Sequence, residues 1–262
     1  MRQNTVKQSL TDGGIAVGTM AFEFMVPALP QIADVAGADF VLFDMEHAGL
    51  STERLATLAA VTRGTDVVPL VRVPKADYQL MSRPLDVGVM GIMAPSVESK
   101  AQAEALVAAT KYPPAGHRGT AFGIAHDGYR KGDARQKMQD ANEQTLLIAQ
   151  IETPPGVDNV DEIASVEGID VLWMGHNDLT TAMGIPGQFD HAEYLDAEQR
   201  MLDACEKFGR AAGFRCDSAD HGRKLAAQGF RCLAYLNDIV IYRDNLASGL
   251  QAVRSAASEA AV

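Results

Sequence analysis

Several polar side chains follow short apolar runs in this chain, and they are the residues best suited to chemistry. Burying an ionisable group at the end of an apolar strand is unfavourable unless a partner or a metal ion compensates its charge. The polar positions at these ends therefore define a candidate active site. They are Asp44, Glu46, His47, Arg72, Gln150, Glu152, Asn177 and Asp178.

Glu152 and Asp178 are the candidate metal ligands. They follow two strands that are consecutive along the predicted fold, so both carboxylates can point at one spot. Two carboxylates, completed by water and substrate oxygens, suit a hard divalent ion such as magnesium or manganese. Each residue alone has a simpler interpretation, a helix N-cap for Asp178 and a surface salt bridge for Glu152. Their position at adjacent strand ends favours metal ligation.

His47 and Arg72 are the candidates for proton transfer and charge stabilisation. Because Asp44 and Glu46 immediately precede His47, a carboxylate could orient its ring and raise its basicity, as a general base requires. Asp86, shortly before a later strand, is a second possible partner. Arg72 ends an apolar run and is expected inside the mouth of the predicted barrel, where a guanidinium can stabilise an oxyanion. The alternative for Arg72 is an ion pair with Asp44 or Glu46.

The lysines argue against covalent imine catalysis. A Schiff-base aldolase needs a lysine at a strand end, inside the mouth. Only Lys75 lies near such an end, and Pro74 already carries the chain away there. The metal-dependent route remains.

The elements that must position these residues alternate between short apolar runs and longer amphipathic segments. Such runs are typical of strands that are buried on both faces of a parallel sheet. Eight strands are predicted: Gly14–Thr19, Phe40–Asp44, Val67–Val73, Met90–Ala94, Leu146–Ile151, Val171–Met174, Ala211–Phe214 and Cys232–Tyr235. The predicted helices between and after them include Ser51–Arg63, Ser99–Lys111, Asp158–Val166, Ala192–Phe208, Asp220–Gln228 and Ile239–Ala256.

Eight repeats of strand and helix indicate an α/β fold of the (β/α)8 TIM-barrel type. The competing fold is a doubly wound open sheet, which would prefer a glycine-rich phosphate turn after the first strand, and the chain has none there. The segment from Tyr112 to Glu143 interrupts the alternation and has no assigned place. Loops of this length are uncommon unless they are functional.

Length and composition fit one such barrel spanning residues 1–262. The chain is 47% hydrophobic and 22% charged, with a formal net charge of −11. Nucleic acid is therefore not an expected partner. The three cysteines fit neither a metal motif nor a disulfide framework, and neither a signal peptide nor a membrane span is predicted. A cytoplasmic protein is expected.

Five motifs resemble those of the class II, metal-dependent pyruvate aldolases of the aldolase/citrate lyase family. That family includes 4-hydroxy-2-oxoheptanedioate aldolase and 2-dehydro-3-deoxyglucarate aldolase. The resemblance extends from about Gly14 to the final helix, with the motifs in the family's order. They are Phe43-Asp44-Met45-Glu46-His47, Val71-Arg72-Val73-Pro74, Tyr112-Pro113-Pro114-Ala115-Gly116-His117-Arg118-Gly119, Gln150-Ile151-Glu152-Thr153 and Gly175-His176-Asn177-Asp178-Leu179-Thr180.

The resemblance implies a role for each matching residue. Glu152 and Asp178 would hold one divalent ion per subunit (magnesium, manganese or cobalt, with zinc as an alternative). Arg72 would stabilise the enolate, and His47 would be the acid/base, with Asp86 raising its basicity. The oxoacid carboxylate would be bound by Gln150 and by the backbone at Gly175, Asn177 and Asp178. Family members also exchange their last helix between partners and form hexamers (trimers of dimers), so Ile239–Ala256 would lie at an interface.

Two departures from the family pattern leave the shape of the pocket and the preferred acceptor open. The family commonly has Gly-Pro-x-Asp-Leu-Ser where this chain has Gly175-His176-Asn177-Asp178-Leu179-Thr180. Many members also have a small Gly-Ser pair where this chain has Ala121-Phe122.

The predicted function is a carbon–carbon lyase that cleaves or forms 4-hydroxy-2-oxoacids through the enolate of pyruvate or hydroxypyruvate and an aldehyde. The alternatives with the same enolate chemistry are a citrate- or malyl-CoA-type lyase and an oxoacid decarboxylase. A CoA lyase would need a groove for a nucleotide-bearing tail, for which the sequence offers no clear candidate. The alternative of another class is a non-catalytic barrel that serves in binding or assembly.

Overall fold

The computed structural model describes residues 1–259, in which eight parallel strands pair in chain order and the last strand pairs with the first. The predicted TIM barrel is therefore confirmed. Positions 260–262 of the predicted domain lie outside the described residues. The strands are β1 (Ala16–Ala21), β2 (Phe40–Asp44), β3 (Val68–Arg72), β4 (Gly91–Ala94), β5 (Leu146–Ile151), β6 (Val171–Met174), β7 (Ala211–Cys216) and β8 (Phe230–Asn237).

Helices follow the strands around the outside of the barrel, and several begin at a side chain that caps the helix. Ser51, Asp77, Ser99 and Ser218 each accept a backbone N–H of the first turn, which satisfies a donor that has no partner within the helix. None of the described helices has the length and apolar character needed to cross a membrane. The helices are α1 (Thr5–Thr11), α2 (Ala28–Val35), α3 (Thr52–Val61), α4 (Tyr78–Asp86), α5 (Lys100–Thr110), α6 (Ala134–Gln144), α7 (Pro154–Asp158), α8 (Val160–Ala164), α9 (His176–Ala182), α10 (Ala192–Phe208), α11 (Ala219–Gln228) and α12 (Asp238–Glu259).

Side chains alternate along each strand between the barrel interior and the layer beneath the helices. In β2, Phe40 and Leu42 pack in the interior, whereas Val41 and Phe43 pack against the outer layer. Gly18 of β1 makes room for Phe40, because a Cβ on the glycine would lie 2.2 Å from the carbonyl oxygen of Phe40. The strict alternation fixes which residues face the mouth at the strand ends.

The N-terminal segment covers the bottom of the barrel. Val6 of α1 packs with the interior residues. The Asn4 side chain donates to the carbonyl oxygens of Met90 and Gln144, at 3.0 and 2.9 Å. These contacts hold α1 at the N-terminal ends of the strands, which leaves the C-terminal ends as the functional face.

The long segment after α5 is partly ordered into α6 and a 3-10 turn at Ala125–Asp127. It packs against α4, where Arg118 donates to Asp86 at 2.6 Å and the Gly119 amide donates to the Tyr78 hydroxyl at 2.7 Å. The polar composition of α6 explains why a loop was expected there.

Candidate active site

Alternation along the strands brings the predicted polar residues to the mouth of the barrel. Leu42, Leu70 and Ile148 face the interior, so two positions further Asp44, Arg72 and Gln150 face the same way at the C-terminal rim. All three are buried. Glu152 continues the inward series one step beyond β5 and is also buried. The predicted site residues from three strand ends therefore converge on one opening.

Asp44 and Arg72 form a buried ion pair between neighbouring strands. Asp44 Oδ1 accepts from Arg72 Nε at 2.7 Å, and Asp44 is fully buried. Burial alone would lower the pKa of Arg72, but the hydrogen bond and charge of Asp44, together with the charges of Glu46 and Glu152, outweigh it and raise that pKa. Asp44 also accepts the amides of Glu46 and His47, at 3.2 and 3.0 Å. It thus fixes both the guanidinium and the turn that follows β2.

Glu152 is held by donors from the segment after β4 and from β5. Its Oε1 accepts from the Ser96 amide at 2.6 Å and from the Ser96 hydroxyl at 2.9 Å, and its Oε2 accepts from Gln150. Ser96 adopts a φ of 50°, a left-handed conformation uncommon for a non-glycine residue. Gly175 is required beside it, because a Cβ there would lie 2.5 Å from Cβ of Glu152. The carboxylate is therefore oriented before any ligand arrives.

Glu46 joins Glu152 and Asp178 to make a group of three carboxylates. Burial raises the pKa of Glu152, which Ser96 partly offsets, and the charges of Glu46 and Asp178 raise it further. Burial also raises the pKa of Glu46, where Arg72 lowers it and Asp178 is among the groups that raise it. Mutual repulsion of this kind is relieved by a bound cation.

The donor chemistry of this group fits a divalent ion that prefers oxygen. Glu46 Oε2 is buried without a hydrogen-bond partner, since Arg72 Nε, 3.2 Å away, directs its proton to Asp44. The side-chain oxygen of Gln150 is likewise buried and unpartnered. No group of three or more histidine, cysteine or acidic side chains is already arranged around a common metal position in residues 1–259. Water and substrate oxygens would have to complete the coordination.

His47 lies at the edge of the mouth beside Glu46. Its side chain is 56% exposed, and its Nε2 is 3.8 Å from Glu46 Oε2. One of the two neighbouring carboxylates considered for it is thus near the ring, while the other, Asp44, binds its backbone amide. Solvent exposure leaves the ring accessible to water and to a substrate at the mouth.

The structure does not bring Asp86 to His47 within one subunit. Asp86 is the last residue of α4, a helix that begins after β3 at the functional face and runs back to the bottom of the barrel. Its carboxylate accepts from Arg118 at 2.6 Å, and Arg118 is itself buried. Within the single chain, α4 carries Asp86 away from the mouth, so the predicted pairing with His47 is not formed there.

Gly175, Asn177 and Asp178 lie at the β6–α9 turn, with Gly175 preceding the helix. The amide of Gly175 donates to the carbonyl of Ile151 at 2.9 Å, so Gly175 contributes space for Glu152 and not a donor for substrate. Asn177 and Asp178 occupy the first turn of α9, where backbone amides have no partner within the helix. Asn177 and Asp178 line the same cavity as Arg72.

A cavity of about 410 Å³ occupies the mouth. This volume suits a small metabolite. Arg215 and Asn237 also line it, although the sequence did not single them out. Arg215 lies two positions beyond the inward-facing Gly213 of β7, so a longer predicted strand would have revealed it. The lining residues are Met20, Phe22, His47, Arg72, Gln150, Trp173, Met174, Gly175, His176, Asn177, Asp178, Arg215, Asn237 and Val240.

Known proteins are similar to this chain in sequence and in fold. Residues 24–236 match the family model described as HpcH/HpaI aldolase/citrate lyase. The hydroxypyruvate/pyruvate aldolase of Roseovarius nubinhibens is 33% identical over 91% of this chain and 92% of that enzyme. The 5-keto-4-deoxy-D-glucarate aldolase of Shigella dysenteriae is 31% identical over 83% of this chain and 84% of that enzyme. The crystal structure of HpcH/HpaI aldolase from Desulfitobacterium hafniense DCB-2 has a TM-score of 0.91 at 29% identity, covering 95% and 96% of the two chains.

Proposed function

This chain belongs to the HpcH/HpaI aldolase/citrate lyase family and is a carbon–carbon lyase, and we propose that it is a divalent-metal-dependent aldolase acting on 4-hydroxy-2-oxoacids. The observation that supports this most strongly is the carboxylate group at the mouth, in which the charges of Glu46 and Asp178 act on Glu152, beside the buried Asp44–Arg72 pair. Carboxylates that can bind a cation, next to a fixed guanidinium, suit a reaction that develops negative charge on an oxygen between the two positive charges.

Glu152 and Asp178 would hold the metal, with Glu46 close enough to add to the negative field. The ion would be magnesium, manganese or cobalt, with zinc as an alternative. When bound, it would supply Lewis-acid stabilisation of the enolate oxygen. Ser96 and Gln150 keep Glu152 oriented, as hydrogen-bonding partners of metal ligands commonly do.

Arg72 would stabilise the charge that develops on the oxoacid oxygen during enolate formation. Its Nε is committed to Asp44, so the rest of the guanidinium remains to face the cavity. The oxoacid carboxylate would lie against Gln150 and the first-turn amides of Asn177 and Asp178. This holds the substrate between β3 and β6, where the reacting carbon is shielded by the barrel wall.

His47 would move the proton of the 4-hydroxyl group. In the cleavage direction it accepts that proton as the carbon–carbon bond breaks. In the reverse direction, aldol addition, it returns a proton to the newly formed alkoxide. Glu46, 3.8 Å from Nε2, would stabilise the protonated ring. Asp86 is not part of this proposal, because its carboxylate pairs with Arg118.

The donor substrate would be pyruvate or hydroxypyruvate, as the name of the Roseovarius nubinhibens relative suggests. The test is a panel of aldehydes offered with each donor in the presence of magnesium, manganese, cobalt or zinc. New hydroxy-oxoacids should form only with a metal present. Release of carbon dioxide from oxaloacetate without any aldol product would favour a decarboxylase, and cleavage of malyl-CoA alone would favour a CoA lyase.

The protein would assemble into a homo-oligomer, a hexamer of paired subunits, through α12. This helix exposes an apolar stripe of Ile239, Tyr242, Leu246, Leu250 and Val253. A groove of about 480 Å³ beside it is lined by apolar residues from β1 and α2, including Ile32, which is itself exposed. Exposed apolar surfaces of this kind support a subunit interface.

The cytoplasm is the proposed location. Cys205, Cys216 and Cys232 are all unpaired and buried, and burial raises the pKa of each thiol. Unpaired thiols are typical of a reducing compartment.

A further inference from the structure

The cavity contains a second arginine, on the side opposite Arg72. Arg215 lies on β7 and lines the same cavity as Arg72 and Asp178. In a closed barrel of eight strands in chain order, β7 and β3 are four strands apart and therefore face each other across the mouth. The proposed oxoacid and metal positions occupy the half formed by β3, β5 and β6. Arg215 lies in the remaining half, where the other part of a longer substrate must extend.

The two arginines differ in how firmly their charges are neutralised. Arg72 is paired with the fully buried Asp44. Arg215 Nη1 is 2.8 Å from Asp217 Oδ1, and this carboxylate is 52% exposed. An ion pair with an exposed, hydrated partner contributes little stability, so an incoming anion can replace Asp217 at small cost.

His176 holds the other end of the Arg215 guanidinium. Its Nε2 is 3.4 Å from Arg215 Nη2, and its ring stacks on Phe214 with centroids 4.6 Å apart. The ring is also hydrogen-bonded to the Met174 carbonyl. An imidazole that donates one N–H to a carbonyl can present its other nitrogen as the acceptor for the guanidinium.

We propose that Arg215 is a specificity-determining residue that binds a carboxylate on the aldehyde substrate, and that His176 is the residue that positions it. The inference rests on the proposed aldolase function and specifies its acceptor as an aldehyde bearing an anionic group. It also gives a role to the His176 departure from the family's common Gly-Pro-x-Asp motif.

The experiment compares two acceptors that differ in charge, 4-oxobutanoate and butanal, in addition reactions with pyruvate and magnesium. The ratio of their kcat/KM values should fall roughly 10- to 100-fold in Arg215→Met, the range expected for losing a hydrogen bond between charged groups. Most of the change should lie in the KM for 4-oxobutanoate. Arg215→Lys should recover part of the ratio, because it restores the charge without the planar fork.

Two further variants separate charge recognition from a structural role. His176→Phe keeps the stacked ring but removes the acceptor, and should lower the ratio by roughly 3- to 10-fold, corresponding to one ordinary hydrogen bond. Asp217→Asn removes the competing carboxylate and should raise the ratio. Arg223→Met is the matched control, since Arg223 is also paired with an aspartate but lies on the exposed face of α11.

An unchanged ratio in Arg215→Met, or an equal loss with both aldehydes, would overturn the proposal. Succinate binding, followed by NMR titration in the presence of pyruvate, provides an arm that needs no turnover. Weaker succinate binding to Arg215→Met supports the proposal, and equal binding contradicts it. If the wild-type protein neither adds aldehydes nor exchanges the pyruvate methyl protons, the aldolase function fails, while the succinate measurement still decides the role of Arg215.

Discussion

Replacing Asp44 with alanine should destabilise the protein by about 3–5 kcal/mol, because it leaves the guanidinium of Arg72 buried without its counter-charge. Asp44 is fully buried, and its Oδ1 accepts from Arg72 Nε at 2.7 Å. The change also removes the acceptor for the amides of Glu46 and His47. Glu46 compensates only in part, since its carboxylate is not hydrogen-bonded to Arg72.

The assay is urea denaturation of the wild type, Asp44→Ala, Arg72→Met and the double variant Asp44→Leu/Arg72→Met. The double variant should be more stable than Asp44→Ala, because it replaces both charges with apolar groups. Asp220→Ala is the control: Asp220 forms an exposed pair with Arg223 and should cost under about 1 kcal/mol. A loss below about 1 kcal/mol in Asp44→Ala, or a double variant less stable than Asp44→Ala, would refute this reasoning.

Three further predictions concern catalysis, assembly and pH. His47→Ala should slow aldol cleavage yet leave deuterium exchange at the pyruvate methyl partly intact. Arg72→Ala should slow both reactions, raising each activation free energy by roughly 3 kcal/mol. NMR measurement of exchange beside a coupled cleavage assay checks this, and complete loss of exchange in His47→Ala would contradict it. Leu246→Glu should reduce the oligomer to smaller species in sedimentation velocity, and an unchanged mass would rule out α12 as an interface. Burial, followed by the charge of Lys7, lowers the pKa of Lys111 to about 7, so above that pH the unfolded chain binds more protons than the folded chain. The free energy of unfolding should therefore rise between about pH 7 and 10 by up to about 4 kcal/mol. Urea titrations across this pH range should find a smaller rise in Lys111→Met.

The sequence predicted the barrel because its signal is repeated and local. Runs such as Phe40–Asp44 are apolar throughout, as burial on both faces requires, and their order leaves little choice of topology. The ends of elements were less certain. β7 was predicted to end at Phe214, but it continues through Arg215 to Cys216, since a charged residue can continue a strand where the inward face meets the cavity. The polar composition of α6 similarly gave no helical hydrophobic pattern, so that helix was not predicted within the long segment.

The predicted site residues that lie at the mouth come at or just after the C-terminal ends of strands. Asp86 does not, and it lies elsewhere. The inward orientation of Asp44, Arg72 and Glu152 can be predicted from the sequence, because it depends only on where each strand ends and on the alternation of side chains along it. Asp86 also lies near a strand, but before its start, and the βα repeat places that position at the opposite end of the barrel. Glu46 was recognised as a strand-end residue, but its proximity to Glu152 depends on the turn that Asp44 holds, a tertiary contact that spacing alone does not specify.

The central claim, a metal-dependent enolate formed at the carboxylate group, is tested most directly by deuterium exchange of the pyruvate methyl protons. The measurement is proton NMR in D₂O with no aldehyde, using chelator-treated protein, the same protein with magnesium or manganese restored, and Glu152→Gln, which keeps the shape of the side chain and removes its charge. Exchange is expected in the metal-restored wild type, with a loss of at least about 100-fold in the chelator-treated protein and in Glu152→Gln, comparable to losing a main electrostatic contribution to catalysis. Undiminished exchange in chelator-treated protein or in Glu152→Gln would contradict the claim.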